Sequence, residues 1–295
     1  MSGYWNIAGV RVHAKGDTAV LSRMGGLEAF SSDSETETMQ ADLNLELCSS
    51  FAEASTLEHY LSQQTPLYRI EYFWNGNVTE MDFYLPEDTG PVCHCSYDDS
   101  IRTASMFFSE AAVGAVRFAF WEVFGFAAIE RGIAPVHSAA VVCRGESIMF
   151  LGGSGAGKST QAALWTRNIP DCSLLNDDSP VINTGSSEIE VFGSPWGGKT
   201  PLFINRHYPV RAFVRVRKSP DNKIYPLGTL QKVAALLPSF SPALRMHSVF
   251  ASKLQKLTIT LADRTEVISM DCLPESSAAL LCFNYLNKKN IRYEN

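Results

Sequence analysis

Gly152-Gly153-Ser154-Gly155-Ala156-Gly157-Lys158-Ser159-Thr160 lies between the apolar run Ser147–Leu151 and a helical pattern over Lys158–Asn168, and this junction decides the fold. It fits G-x-x-x-x-G-K-[ST] at every fixed position, the signature of a phosphate loop. The chemistry explains each residue type. Glycines let the chain bend until successive backbone N–H groups point inward at phosphate oxygens. The helix that follows presents unpaired N–H groups and partial positive charge to the same anion. Lys158 is placed to reach the β- and γ-phosphates, and the Ser159 hydroxyl to take a magnesium position. The expected ligands of Gly152 through Thr160 are therefore ATP and Mg2+.

Outward from the loop, two short apolar strands, Val136–Cys143 and Ile148–Leu151, flank the turn Arg144-Gly145-Glu146. Beyond the helix, Ser173–Asn176 reads as a buried strand ending on Asp177-Asp178, where open α/β sheets carry ligand-binding residues. Phosphoryl transfer needs one carboxylate for the metal and one group to take the hydroxyl proton. Adjacent residues at a strand end point in different directions, so the pair can divide these tasks. His137 opens the strand before the loop. Pro180–Phe192 reads as a hairpin turning at Thr184-Gly185, and Gly193–Thr200 as a loop. Val210–Arg217 reads as a strand whose Arg211, Arg215 and Arg217 alternate onto one face. Helices are predicted at Thr229–Leu237, Ala243–Leu261 and Pro274–Lys288, with a strand at Glu266–Met270.

The first hundred residues read as β-rich. Strands are predicted at Asn6–His13 and Ala41–Leu47, and a hairpin joins Leu67–Trp74 to Val78–Leu85 through Asn75-Gly76-Asn77. Ser31–Thr38 and Glu87–Pro91 read as polar loops. From near Ser105 a long helix is predicted through Arg131, stopping at Gly132 with Pro135 beyond. Its core, Ala111–Gly132, carries Arg117, Glu122, Glu130 and Arg131, which favours a buried helix over a membrane span. The division expected is a β-rich lobe over 1–104 and a nucleotide domain over 105–295.

The chain has 295 residues, 45 % of them hydrophobic, enough for a real core, and a formal charge of −6 that argues against nucleic acid as partner. Seven cysteines, an odd and scattered set, suit reduced thiols in a cytoplasmic protein. The start lacks a basic segment followed by an apolar one, so no signal peptide is expected. Cys93-His94-Cys95 has no second cluster at metal-site spacing, and its neighbours alternate sides on a strand. Nothing in the pattern raises Arg206 or Arg245 above background.

His137-Ser138-Ala139, Leu151–Thr160 and Leu174-Leu175-Asn176-Asp177-Asp178, in this order and spacing, resemble the C-terminal domain of HPr serine kinase/phosphorylase. ATP-dependent phosphoenolpyruvate carboxykinase shares the same order of parts. Gly193-Ser194-Pro195-Trp196-Gly197-Gly198-Lys199 is similar to a family of HPr-kinase-related proteins found beside peptide-modification genes. The likeness covers Val136–Leu227, whereas residues 1–104 do not resemble the N-terminal domain of HPr kinases. It implies an α/β fold, an HPr-kinase/phosphoenolpyruvate-carboxykinase-like P-loop domain, preceded here by the β-rich lobe.

It further implies that one Asp of the pair is the base, taken as Asp177, and that its neighbour Asp178 holds magnesium with Ser159. His137 then lies close to the acidic pair, and Lys199 near the transferred phosphoryl group. The chain lacks the acidic-Arg-Gly-Leu-Gly signature of HPr kinases, so HPr is not the first expected acceptor. The expected reaction moves the ATP γ-phosphoryl group to a serine of a peptide or small protein, a ribosomally made precursor peptide first and an HPr-like carrier second. A free-serine kinase, a nucleotide-binding regulator without chemistry and an NTPase switch are the competing readings. A homo-oligomer without membrane contact is the expected assembly, and the β-rich lobe is the expected docking module.

Overall fold

The computed structural model describes residues 2–32, 41–50, 53–109, 112–198 and 202–290. By contacts the chain divides into two compact units, Met1–Glu130 with Pro242–Lys253, and Arg131–Ser241 with Leu254–Asn295. Among the described residues the helices are α1 (Ala19–Met24), α2 (Val113–Ala128), α3 (Lys158–Asn168), α4 (Thr229–Leu236), α5 (Pro242–Met246), α6 (Phe250–Arg264) and α7 (Ser276–Asn290).

In the first unit, β1 (Ser2–Ile7), β2 (Val10–Gly16), β3 (Leu43–Ser49), β4 (Glu58–Gln64), β5 (Arg69–Trp74), β6 (Val78–Tyr84), β7 (Cys93–Asp98) and β8 (Thr103–Phe108) form one sheet. Its order is β1-β2-β3-β8-β7-β6-β5-β4, with β3 parallel to both β2 and β8 and the other pairs antiparallel. Alternation explains the sheet: Leu43, Leu45 and Leu47, or Cys93, Cys95 and Tyr97, are buried while the residues between them are not. Helix α2 packs on β7 and β8. Its buried Glu122 accepts a hydrogen bond from the Tyr72 hydroxyl at 3.1 Å. No described helix is long and apolar enough to cross a membrane.

Three expectations are corrected here. The single strand over Asn6–His13 is a tight hairpin, because Ala8 and Gly9 both take positive φ (53° and 80°). The helix expected from Ser105 begins at Val113; Ala104, Met106 and Phe108 are buried at period two, and this makes the segment strand β8. The boundary expected at 104/105 therefore falls inside a strand that lies between β3 and β7. Most of the polar run Ser31–Thr38 lies outside the described residues.

The helix expected over Ala243–Leu261 is two helices, and His247 is the reason. Its ring is 2 % exposed and stacks on Phe250 at 4.3 Å. Nδ1 accepts the N–H groups of Val249 (3.2 Å) and Phe250 (3.5 Å), which caps α6. Nε2 then carries the proton and donates to Thr79 Oγ1 at 3.1 Å. Burial, reinforced by the Lys253 ammonium, lowers the His247 pKa from 6.5 to about 4. The unfolded chain therefore takes up this proton first. The stabilisation is whole above the unfolded value and is lost as pH falls from 6.5 to about 4. The loss amounts to about 3 kcal/mol. Urea unfolding of the wild type and of His247→Gln should converge between pH 7 and pH 4.5; parallel pH slopes would refute the assignment.

In the second unit the sheet is built from β9 (Ile133–Pro135), β10 (Ser138–Cys143), β11 (Glu146–Leu151), β12 (Cys172–Asn176), β13 (Val181–Asn183), β14 (Glu190–Phe192), β15 (His207–Lys218), β16 (Lys223–Pro226) and β17 (Glu266–Cys272). Strand β15 is parallel to β11 on one side and to β17 on the other. Beyond β11 lie β10 and then β12, both antiparallel, so among the described residues β12 is an edge strand. The N-terminal end of β15 pairs with β14, and β13 and β9 follow. Helices α3 and α7 close one face through Ala162, Trp165, Ala278, Ala279, Cys282 and Leu286.

The expectation of uniformly reduced cysteines is also corrected. Cys143 and Cys172 stand opposite each other on β10 and β12, their Cα atoms 4.2 Å apart, and form a disulfide. Sequence spacing does not show which strands become neighbours, so this pairing was not readable. Cys93, Cys95, Cys272 and Cys282 are free and buried, and Cys48 is free and exposed.

Candidate active site

Strand β11 ends at Leu151, the glycine-rich loop turns, and α3 starts at Lys158. Gly152 has φ of +148°, and a Cβ there would come within 2.8 Å of the Ala156 Cβ, so no other residue fits this corner. Gly153, Ser154, Gly155, Ser159 and Thr160 are exposed, so the N-terminal end of α3 opens to solvent. Such an end offers N–H donors to an anion.

Lys158 is only 7 % exposed. Its ammonium donates to Gly152 O at 2.9 Å and Gly153 O at 3.2 Å, and meets His137 Nε2 at 2.9 Å. An ammonium has no acceptor lone pair, so Nε2 accepts and the His137 proton sits on Nδ1. That nitrogen lies 3.4 Å from Asp178 Oδ1. Burial draws the Lys158 pKa down, and the Asp178 charge opposes the shift. Lys158, His137 and Asp178 thus form one continuous row at the mouth of the loop.

Backbone bonds hold the row. Val136 N donates to Pro180 O (2.9 Å), His137 N to Ser239 O (2.8 Å) and Ser138 N to Asp178 O (2.9 Å). The acidic pair is therefore fastened to the strand that carries His137. Its two side chains diverge, as expected of strand-end neighbours. The Asp178 side chain is partly exposed and faces His137, whereas Asp177 is buried and accepts the Gly198 N–H on Oδ1 at 2.8 Å.

The group that sets this divergence is not among the residues expected from the sequence. Asn176 is fully buried; its Oδ1 accepts the N–H groups of Asp178 and Ser179, both at 2.9 Å. Its Nδ2 donates to Ser194 Oγ (3.1 Å), and Ser194 Oγ donates in turn to Ser179 O (2.6 Å). This polar knot fixes the turn after β12 and pulls the loop after β14 against it. A β-bulge contributes as well: Val141 faces Leu174 and Ala140 faces Asn176, which leaves Leu175 without a partner opposite. Bulges beside such sites re-aim the residues that follow. The signal in the sequence was an Asn immediately before the acidic pair. In the sequence Gly198 is one residue of a glycine-rich loop, yet a Cβ there would lie 3.1 Å from Asp177 Oδ1. Lys199 lies outside the described residues.

Among the described residues no group of three His, Cys, Asp or Glu side chains is placed to enclose a metal ion. Cys93 and Cys95 are buried on one face of β7, whereas His94 turns to the other and bonds Asp82 Oδ1 at 2.7 Å. At the loop Ser159 is exposed and the Asp178 side chain is partly exposed. One hydroxyl and one carboxylate suit a hard cation that shares its coordination with phosphate oxygens and water.

No family model matches the chain, and no curated protein matches it. Among solved structures it is similar to the HPr(Ser) kinase/phosphatase from Coxiella burnetii, at 15 % identity over 55 % of this chain and 99 % of that chain, with a TM-score of 0.31.

Proposed function

We propose that the chain is an ATP-dependent kinase that transfers the γ-phosphoryl group to a hydroxyl, a serine of a peptide or small protein first among acceptors. The carrying observation is the row Lys158–His137–Asp178 at the glycine-rich loop, with Asp177 beside it on a separate heading. A module that only bound nucleotide would have no use for a second carboxylate held apart from the first.

The geometry supports the following roles. Loop N–H groups and Lys158 bind and orient the β- and γ-phosphates. Asp177, steadied by the Gly198 N–H, takes the acceptor proton. As the serine oxygen bonds to the γ-phosphorus, the bond to the β–γ bridging oxygen breaks and ADP leaves with that electron pair. His137 stands between Lys158 and Asp178, accepting from the ammonium on Nε2 and facing the carboxylate with Nδ1. Ser159 and Asp178 would hold magnesium, which would neutralise phosphate charge.

Rapid-quench assays with γ-labelled ATP, magnesium and serine peptides test this reading. Label should appear on serine with one ADP formed per phosphopeptide. Tight ATP binding without turnover would point to a regulator, and release of inorganic phosphate alone to an NTPase.

A further inference from the structure

Beside β12, in the second unit, lies a cavity of about 360 Å³ lined by Val142, Ser173, Leu175, Phe203, Arg206 and Tyr208, among others. Leu175 and Val142 form a buried apolar floor, whereas Ser173 and Arg206 are exposed at the rim. The side chains of Arg206, Tyr208 and Ser173 make no hydrogen bond or ion pair among the described residues. The cavity thus combines an apolar floor with a guanidinium and two hydroxyls that have no partners among the described residues. Strand β12 pairs only with β10 among the described residues, so its outer backbone edge can accept another strand.

We infer that this cavity and the β12 edge together bind the acceptor as an extended peptide, with an acidic side chain of the peptide on Arg206. The inference rests on the kinase reading above and names how its acceptor is held. An added strand gains affinity from main-chain hydrogen bonds and specificity from pockets for alternate side chains. Arg is suited to a carboxylate because its planar fork can bond both oxygens. The apolar floor accepts a branched or aromatic side chain of the same peptide.

Register sets where the acid stands. Cavity residues Ser173 and Leu175 precede Asp177 by four and two positions on the same run of chain. At roughly 3.3–3.6 Å per extended residue, a peptide lying along β12 would carry its acid about two to four residues from the serine that reaches Asp177. The β-rich lobe is the docking module expected from the sequence; this site lies instead within the unit that carries the glycine-rich loop.

The test uses the full chain and fluorescein-labelled nine-residue peptides. Each has a central serine and one Glu or one Lys at a single offset of two, three or four residues on either side. Anisotropy should show at least tenfold tighter binding of Glu over Lys at one offset. Arg206→Gln should abolish that preference and Arg206→Glu reverse it, with unchanged melting temperature, since Arg206 is exposed. Equal binding of Glu and Lys peptides, or a preference untouched by both variants, would overturn the inference. Binding of N-acetylglutamate amide as tightly as the best peptide would overturn the extended-strand part. The two proposals fail separately. Charge-swapped binding without phosphoryl transfer would leave the docking site and remove the kinase; transfer indifferent to the acid would do the reverse.

Discussion

Asp177→Asn should lower the rate of phosphoryl transfer by about 10²–10⁴-fold, the usual contribution of a positioned general base. Asparagine keeps the shape and can still accept the Gly198 N–H through its amide oxygen, so the turn fastened by Asn176 should stay as it is. The variant should bind magnesium-ATP within a few-fold of wild type and melt at the same temperature. Asp178→Asn should behave differently. Its carboxylate is open to solvent and faces His137, so its loss should raise the magnesium concentration needed for half-maximal activity. Quench-flow rates measured across a magnesium titration separate the two. A metal-dependence change in Asp177→Asn, with none in Asp178→Asn, would reverse the roles.

Lys158→Ala should cost ATP affinity on the order of 2–3 kcal/mol, a loss of about thirty- to 150-fold, because a charge-assisted hydrogen bond to phosphate disappears. The structure adds a second component. Lys158 also holds Gly152 O, Gly153 O and His137 Nε2, so its removal loosens the loop corner as well as the anion site. Lys158→Arg should restore charge without restoring activity, since a planar fork cannot replace a compact ammonium among those acceptors. Titration calorimetry reads the affinities. A thermal shift with saturating ATP, worth about 2.7 kcal/mol at a hundredfold excess over Kd, gives an independent check. Undiminished ATP binding by Lys158→Ala would sink the assignment of the loop.

What was legible in the sequence was local. The bounds of α3 agree with the predicted Lys158–Asn168, and the β10–β11 and β5–β6 hairpins formed where their turn residues placed them. Each depends on a period, a cap or a two-residue turn, all contained in a few consecutive residues. The divergence of Asp177 and Asp178 was also readable, because alternation is a property of a strand end.

What was not legible depends on distant partners. Residues 103–108 alternate weakly, and burial against β3 and β7 decided strand over helix. His247 lies in a stretch with helical spacing; it breaks the helix because its ring finds Thr79 and Phe250 and its Nδ1 finds two backbone N–H groups. Asn176 looked like the last residue of a strand, and only its contact with Ser194, eighteen positions on, shows it to be the organiser of the turn. Arg206 carried no pattern at all and acquired meaning from the cavity around it.

The Cys143–Cys172 bond has a consequence for the covalent topology of the chain. Its sequence separation of 29 closes a ring that contains β11, the whole glycine-rich loop and α3. One backbone cut anywhere between Arg144 and Asp171 would open the ring yet release no fragment, since the two halves stay joined through sulfur. In the chain-entropy description a ring of this size removes about 3.5 kcal/mol worth of freedom from the unfolded chain. Strand β10, which follows His137, and strand β12, which delivers Asn176-Asp177-Asp178, are thereby tethered even when every hydrogen bond between them is broken.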